Sequence, residues 1–148
     1  MSVVTELYRE VVLDHRRSPR HHGRLADPTV RQRGANLFCG DEVELDLRIE
    51  ADTIADVGFE GQGCTVSQAS ASMMSELIAG RPRAEVERIA AAFTRMLSGD
   101  GAVDEALLGD AAVLAGVRQF PARVKCALLP WTTLREALAQ ASAAGGPA

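Results

Sequence analysis

Residues 42 to 50, "EVELDLRIE", change character at every step. Val43, Leu45, Leu47 and Ile49 alternate with Glu44, Asp46 and Arg48. That period of two is a β-strand with one dry face and one wet face. "EADT" (50 to 53) turns the chain, and a second strand is predicted through Val57 and Phe59 up to the glycines of "EGQG". Whatever else the chain does, it must cover one face of this hairpin with apolar side chains.

The cover is supplied by stretches of period 3.6. Leu7, Tyr8, Val11 and Val12 predict a helix over residues 5 to 17 with Thr5 as its cap, stopping before Ser18-Pro19; a polar loop then runs to about residue 36. "TVSQASASMMSELIA" (65 to 79) has helix-forming residues and closes at Gly80, while "AEVERIAAAFTRML" (84 to 97) puts Val86, Ile89, Ala90, Phe93 and Leu97 on one face and closes near Gly99, so two further helices follow the hairpin. Residues 98 to 110 carry turn signals and acids and read as a loop, after which Asp110 can cap a short helix "AAVLAGV". A last helix carries Leu128, Trp131, Leu134 and Leu138, with Cys126 at its start and Pro130 in its first turn or kinking it. The predicted class is α+β: a small antiparallel sheet with helices packed on one face, in one domain spanning 1 to 148, with a disordered tail from about 141.

Charge and composition exclude several functions. A net charge of −4 argues against phosphate backbones, so no nucleic-acid partner is expected. No apolar run reaches the roughly 18 residues of a membrane span, and "MSVVTELYREVV" has no secretory pattern, so a cytoplasmic protein is expected. The charge is uneven: residues 1 to 40 hold seven Arg against four acids, centred on "HRRSPRHHGR" (15 to 24), which reads as a solvated loop or a dock for an acidic patch. Lys125 is the only lysine.

The three cysteines lie at junctions of predicted elements rather than within apolar stripes. Cys39 stands on a Phe-Cys-Gly-Asp turn, Cys64 ends "GQGC" where a helix begins, and Cys126 follows "FPARVK". A thiolate at a helix N-terminus is stabilised by the free N–H groups there, which favours Cys64. The spacing contains no C-x-x-C pair, so three unlinked thiols and one common metal or redox site both remain open. A tetrahedral zinc site needs a fourth ligand, and Asp41, two residues after Cys39 across a glycine, is the natural candidate; standing alone it would be a turn residue. His15, His21 and His22 all lie in or near the basic segment and read as surface residues, while Arg123 and Lys125 can offset the negative charge of clustered thiolates.

Taken together, "LYREVVLDHRRSPRHHG", "NLFCGDEVELDL", "FEGQGCTVSQASASMM" and "LGDAAVLAGVRQFPARVKCALLPW" resemble the SufU branch of the IscU-like proteins of iron–sulfur cluster biogenesis, over residues 7 to 138. Lys125 stands where the scaffold branch has a histidine, and residues 98 to 117 match the insertion of the SufU branch. The resemblance implies a sulfurtransferase whose zinc is held by Cys39, Asp41, Cys64 and Cys126. It implies Cys39 as the acceptor of persulfide sulfur, with a partner histidine replacing it on zinc, and Arg123 in the partnership. The implied partners are a pyridoxal-phosphate (PLP) cysteine desulfurase of the SufS type and downstream Suf scaffold proteins. The alternative implied by the wider family is a scaffold that carries a transient iron–sulfur cluster. Gly40 would give Cys39 the backbone freedom to leave a metal, while Cys64 and Cys126 are held at helix starts.

Overall fold

The computed structural model describes residues 3–36, 40–99 and 102–145, with side chains from Tyr8 to Ser142 within those spans. The order is α1 (Val3–Arg17), β1 (Val30–Asn36), β2 (Asp41–Glu50), β3 (Thr53–Gln62), α2 (Thr65–Ile78), α3 (Arg83–Ser98), α4 (Glu105–Leu108), a 3-10 helix (Gly109–Val117) and α5 (Pro121–Gly145). The strands form one antiparallel sheet in the order β1-β2-β3. Leu45 and Leu47 of β2 and Val57 and Phe59 of β3 are buried beside Met73, Ile78, Ile89 and Trp131 of the helices. Each such aliphatic or aromatic side chain stabilises the fold by about 1.5–3 kcal/mol on burial.

Strand β1 falls where the sequence suggests a loop. Only Val30 is fully buried, and the other inward positions, Gln32, Gly34 and Asn36, are polar or side-chainless. The strand exists because β2 supplies a ladder from Val30↔Leu47 to Asn36↔Asp41, and because α5 crosses it closely. A Cβ on Gly34 would lie 2.0 Å from Thr133 Oγ1, so only glycine lets the helix approach.

Helix α5 begins at Pro121, five residues before Cys126, with proline at the first helical position where no N–H is required. Pro130 lies inside the helix, beyond its first turn. The helix runs to Gly145, so residues 141–145 of the expected tail are helical; 146–148 lie outside the described residues. Trp131 stacks on Phe93 with ring centroids 4.3 Å apart and donates its indole N–H to Ser70 Oγ at 3.1 Å. Ser70 donates in turn to the Ala127 carbonyl at 2.6 Å, clamping α5 to α2. Asp104, not Asp110, caps the segment after α3, accepting from Leu107 N–H. Among the described residues no helix is long and apolar enough to cross a membrane.

Part of the second face of the sheet is covered by the basic segment. Asp46, on the side of β2 read as wet, is fully buried. Its carboxylate accepts from Arg24 Nε (2.9 Å) and Nη2 (3.1 Å) and from Leu25 N–H (3.0 Å), with Arg31 Nε at 3.4 Å. Gly23 N–H donates to the Phe59 carbonyl and Phe59 N–H to that of His21, so residues 21–23 cover the outer edge of β3. His15 is fully buried, not a surface residue, with Nδ1 2.7 Å from Ser72 Oγ and Nε2 2.9 Å from Asp110 Oδ2. Asp110 thereby ties the 3-10 helix to α1.

Burial works to raise the Asp46 carboxyl, but the Arg24 hydrogen bonds, the Leu25 N–H and the charges of Arg24 and Arg31 outweigh it and hold it below the usual range. A carboxyl lowered on folding contributes stability above its unfolded value of about 3.9, and that contribution is lost as pH falls through the lower folded value. Asp46→Asn is expected to cost about 1–3 kcal/mol at neutral pH and to flatten the acid limb of stability. Thermal melts from neutral to strongly acidic pH check this; an unchanged acid limb refutes it.

Candidate metal centre

Antiparallel pairing of β2 with β3 puts the first residue of one strand beside the exit of the other. Glu42 pairs with Gln62, so Asp41 meets Gly63 and Cys64 although 22 or 23 residues separate them in sequence. Asp41 follows Gly40, whose φ of +72° suits glycine, and is buried to 1% exposure. Its Oδ1 accepts the backbone N–H of Cys64 at 2.8 Å, while Oδ2 lies 3.7 Å from Cys64 Sγ. Cys64 occupies the N-cap of α2 in an extended conformation and uses no side-chain cap bond, which leaves its sulfur directed to this cluster. Ser67, one turn on, donates to the Cys64 carbonyl at 3.0 Å and steadies the cap.

Gly63 makes the contact possible. A Cβ there would stand 2.1 Å from Asp41 Oδ1 and 2.7 Å from its carboxyl carbon, and φ is +147°. Any side chain would push the carboxylate off the Cys64 N–H.

Cys126 arrives from the other side, in the second turn of α5 and buried. The Ser70–Ala127 bond fixes the residue next to it against α2, whose N-cap is Cys64. Ligand atoms of Asp41, Cys64 and Cys126 all lie within 4.8 Å of one another. A tetrahedral zinc with S and O ligands at about 2.3 and 2.1 Å would set them about 3.6 Å apart, and the observed Oδ2–Sγ separation of 3.7 Å fits that edge. Two soft thiols and one carboxylate are a donor set that zinc accepts.

Cys39 lies outside the described residues, so its place in the cluster is not part of this geometry. Arg123 and Lys125 are exposed on the first turns of α5, ahead of Cys126. His15 Nε2 and carboxylate oxygens of Asp110 and Glu76 also lie within 4.8 Å of one another, but the imidazole is already committed to Ser72 and Asp110.

Tyr8 is a neighbour that its sequence position conceals. Its phenol is pushed up mainly by burial, with the Arg123 charge opposing and that of Cys64 adding, and a Cβ on Gly116 would lie 3.4 Å from its ring. In the sequence it is one more apolar-stripe residue of α1; only the packing of that helix along Gly116 reveals the placement. A separate apolar cleft of about 510 Å³, lined by Val11, Val113 and Arg118 among others, contains none of the cluster's side chains.

A small sheet backed by helices, with a thiol–carboxylate cluster at the junction of β2, α2 and α5, defines an α+β metal-binding type of domain. The chain belongs to the family of the NifU-like N terminal domain, whose profile matches residues 7–127. It is 40% identical to the zinc-dependent sulfurtransferase SufU of Bacillus subtilis over 90% of both chains. It is also 40% identical to the iron–sulfur cluster assembly scaffold protein IscU of Streptococcus pyogenes serotype M1, over 93% of this chain and 86% of that one. A crystal structure from Fervidobacterium islandicum AW-1, described as an iron–sulfur cluster assembly scaffold protein for the SUF system, superposes with a TM-score of 0.84. The two chains are 39% identical, with 90% of this chain and 97% of that one covered.

Replacing Gly63 with alanine is expected to weaken zinc binding at least tenfold, since second-layer contacts of metal ligands carry about 10–100-fold in affinity. Competition with a chromophoric chelator measures it. Wild-type affinity in a folded Gly63→Ala protein would show that the Asp41–Cys64 contact does not shape the centre.

Proposed function

We propose that this chain serves iron–sulfur cluster biogenesis as a zinc-dependent sulfurtransferase, with Cys39, Asp41, Cys64 and Cys126 holding the metal and Cys39 accepting sulfur from a PLP-dependent cysteine desulfurase. The observation that carries this reading is the Asp41 carboxylate, anchored by the Cys64 N–H with its second oxygen 3.7 Å from the Cys64 sulfur, and with Cys126 in the same cluster. The similarity to a named zinc-dependent sulfurtransferase supports it. So does Lys125 at the position before Cys126.

Zinc, when bound, keeps thiols deprotonated at neutral pH and damps their nucleophilicity. In the transfer itself, the Cys39 thiolate attacks the outer sulfur of the donor's cysteine persulfide. The donor's S–S bond breaks, its cysteine departs as a thiolate, and Cys39 carries the new S–S bond, so no external oxidant or reductant is needed. Asp41 is held rigidly by the Cys64 N–H, whereas Cys39 is joined to the cluster through Gly40, the residue best able to absorb a backbone change. Arg123 and Lys125, exposed beside Cys126, lower the cost of gathering three thiolates and a carboxylate and favour approach of an anionic persulfide.

Two measurements test the reading. Elemental analysis of the purified protein is expected to give about one zinc per chain, the number of ions one four-ligand site holds. Incubation with a SufS-type desulfurase and cysteine is expected to add the mass of sulfur to Cys39, and Cys39→Ser to abolish the adduct. Sulfur found only on Cys64 or Cys126, or none at all, would overturn it. Stoichiometric iron with acid-labile sulfide after anaerobic isolation would instead support the scaffold role named for the Streptococcus relative.

A further inference from the structure

Ser67 carries a hydroxyl that helix α2 does not need where it stands. The residue is 4% exposed and occupies the third position of α2, one turn beyond the N-cap Cys64. Its hydroxyl donates to the Cys64 carbonyl at 3.0 Å, but that carbonyl already accepts the Gln68 N–H at 3.2 Å, the first rung of the helix ladder. The second donor is an addition, not a repair. The same Oγ lies 3.9 Å from the Cys64 sulfur, which makes no side-chain cap bond to the helix. The Cys64 backbone N–H, which a capping-box side chain at this position would reach, is taken by Asp41 Oδ1. One buried hydroxyl thus has two acceptors on one residue, the carbonyl and the sulfur of Cys64.

We propose that Ser67 is a positioning residue of the metal centre: in the loaded centre its hydroxyl turns from the Cys64 carbonyl to the Cys64 sulfur, keeps that sulfur as a ligand, and so directs incoming sulfur to Cys39. The proposal rests on the sulfur-acceptor reading and deepens it. A neutral thiol is a weak acceptor, whereas hydrogen bonds to a charged acceptor are roughly twice as strong as neutral ones. The single hydroxyl hydrogen therefore favours the sulfur once it is a coordinated thiolate. The Gln68 N–H stays on the carbonyl, so the turn leaves no buried acceptor without a donor. A donor on a thiolate draws charge out of it and makes it a poorer nucleophile. Without the hydroxyl, the Cys64 thiolate itself attacks the outer sulfur of the donor's persulfide. A new S–S bond then forms on Cys64, the donor's S–S bond breaks, and the donor's cysteine leaves as a thiolate. The sulfur would stand on a residue held in the cap of α2 rather than on one reached through Gly40.

The test compares the full chain with Ser67→Ala and Ser67→Thr, each loaded with zinc for sulfur mapping and with cobalt(II) for spectroscopy. Ser67→Ala removes the hydroxyl but no rung of the helix ladder, so its melting temperature is expected to stay close to wild type. Its sulfur-to-cobalt charge-transfer band is expected to move to lower energy, as a thiolate richer in charge requires. Its zinc affinity, by chelator competition, is expected to fall about 10-fold, the lower end of what contacts behind metal ligands carry. After incubation with a SufS-type desulfurase and cysteine, peptide mass mapping is expected to find sulfur on Cys64 as well as on Cys39. Ser67→Thr, which keeps a hydroxyl, is expected to restore the band position and to confine sulfur to Cys39. A folded Ser67→Ala protein with the wild-type band and with sulfur on Cys39 alone would overturn the proposal and leave the sulfur-acceptor reading standing. A wild-type chain that takes sulfur on none of its cysteines would overturn that reading, and with it the directing role of Ser67.

Discussion

The carboxylate of Asp41 rests against a residue that has no side chain, and the candidate centre depends on that contact. One oxygen is spent on the backbone N–H of Cys64 and the other turns to its sulfur, so a single hydrogen bond both caps helix α2 and aims a ligand. Two features hold it in place. The register of β2 on β3 puts residue 41 beside residue 63, and a slip by one residue would send Asp41 to the opposite face. The Trp131–Ser70–Ala127 clamp then brings α5, and with it Cys126, against the same helix.

Strand β2 and helix α3 are legible from periodicity because their apolar residues recur on a buried face, while α2, buried on most of its sides, is legible from its helix-forming residues and the glycine that closes it. Strand β1 is not, because its inner face carries Gln32, Gly34 and Asn36 and its stability comes from a ladder and a crossing helix, neither of which is local. Asp46 illustrates the same limit: alternation puts it on the wet side of β2, but a segment more than twenty residues earlier folds over it and supplies Arg24. Of the candidate centre, the junction positions of Cys64 and Asp41 are visible in the sequence through the glycines beside them. That Cys126 joins them is implied by the family resemblance but not by local pattern, since Pro121 starts α5 earlier than its apolar stripe suggests and the decisive contact with Ser70 spans 57 residues.

The basic run at 15 to 24 reads in the sequence as a solvated loop or a dock for an acidic patch, yet Arg20 pairs with Asp14 and Glu76, and Arg24 with Asp46, Glu44 and Glu60. His15 links α1 to α2 through Ser72, whose hydroxyl also accepts the N–H of Arg20, and to the 3-10 helix through Asp110. These positive groups are internal fastenings.

The sheet leaves one lateral border uncovered by backbone pairing: β3 is bridged by residues 21–23, while β1 has no strand beyond it among the described residues. Arg31 and Arg33 of β1, 55% and 63% exposed, turn back over the sheet to Asp46 and Glu42 of β2. Charged side chains on an edge strand blunt its pairing with another chain, so Arg31 and Arg33, though matched to carboxylates of β2, leave β1 a poor template for lengthening the sheet.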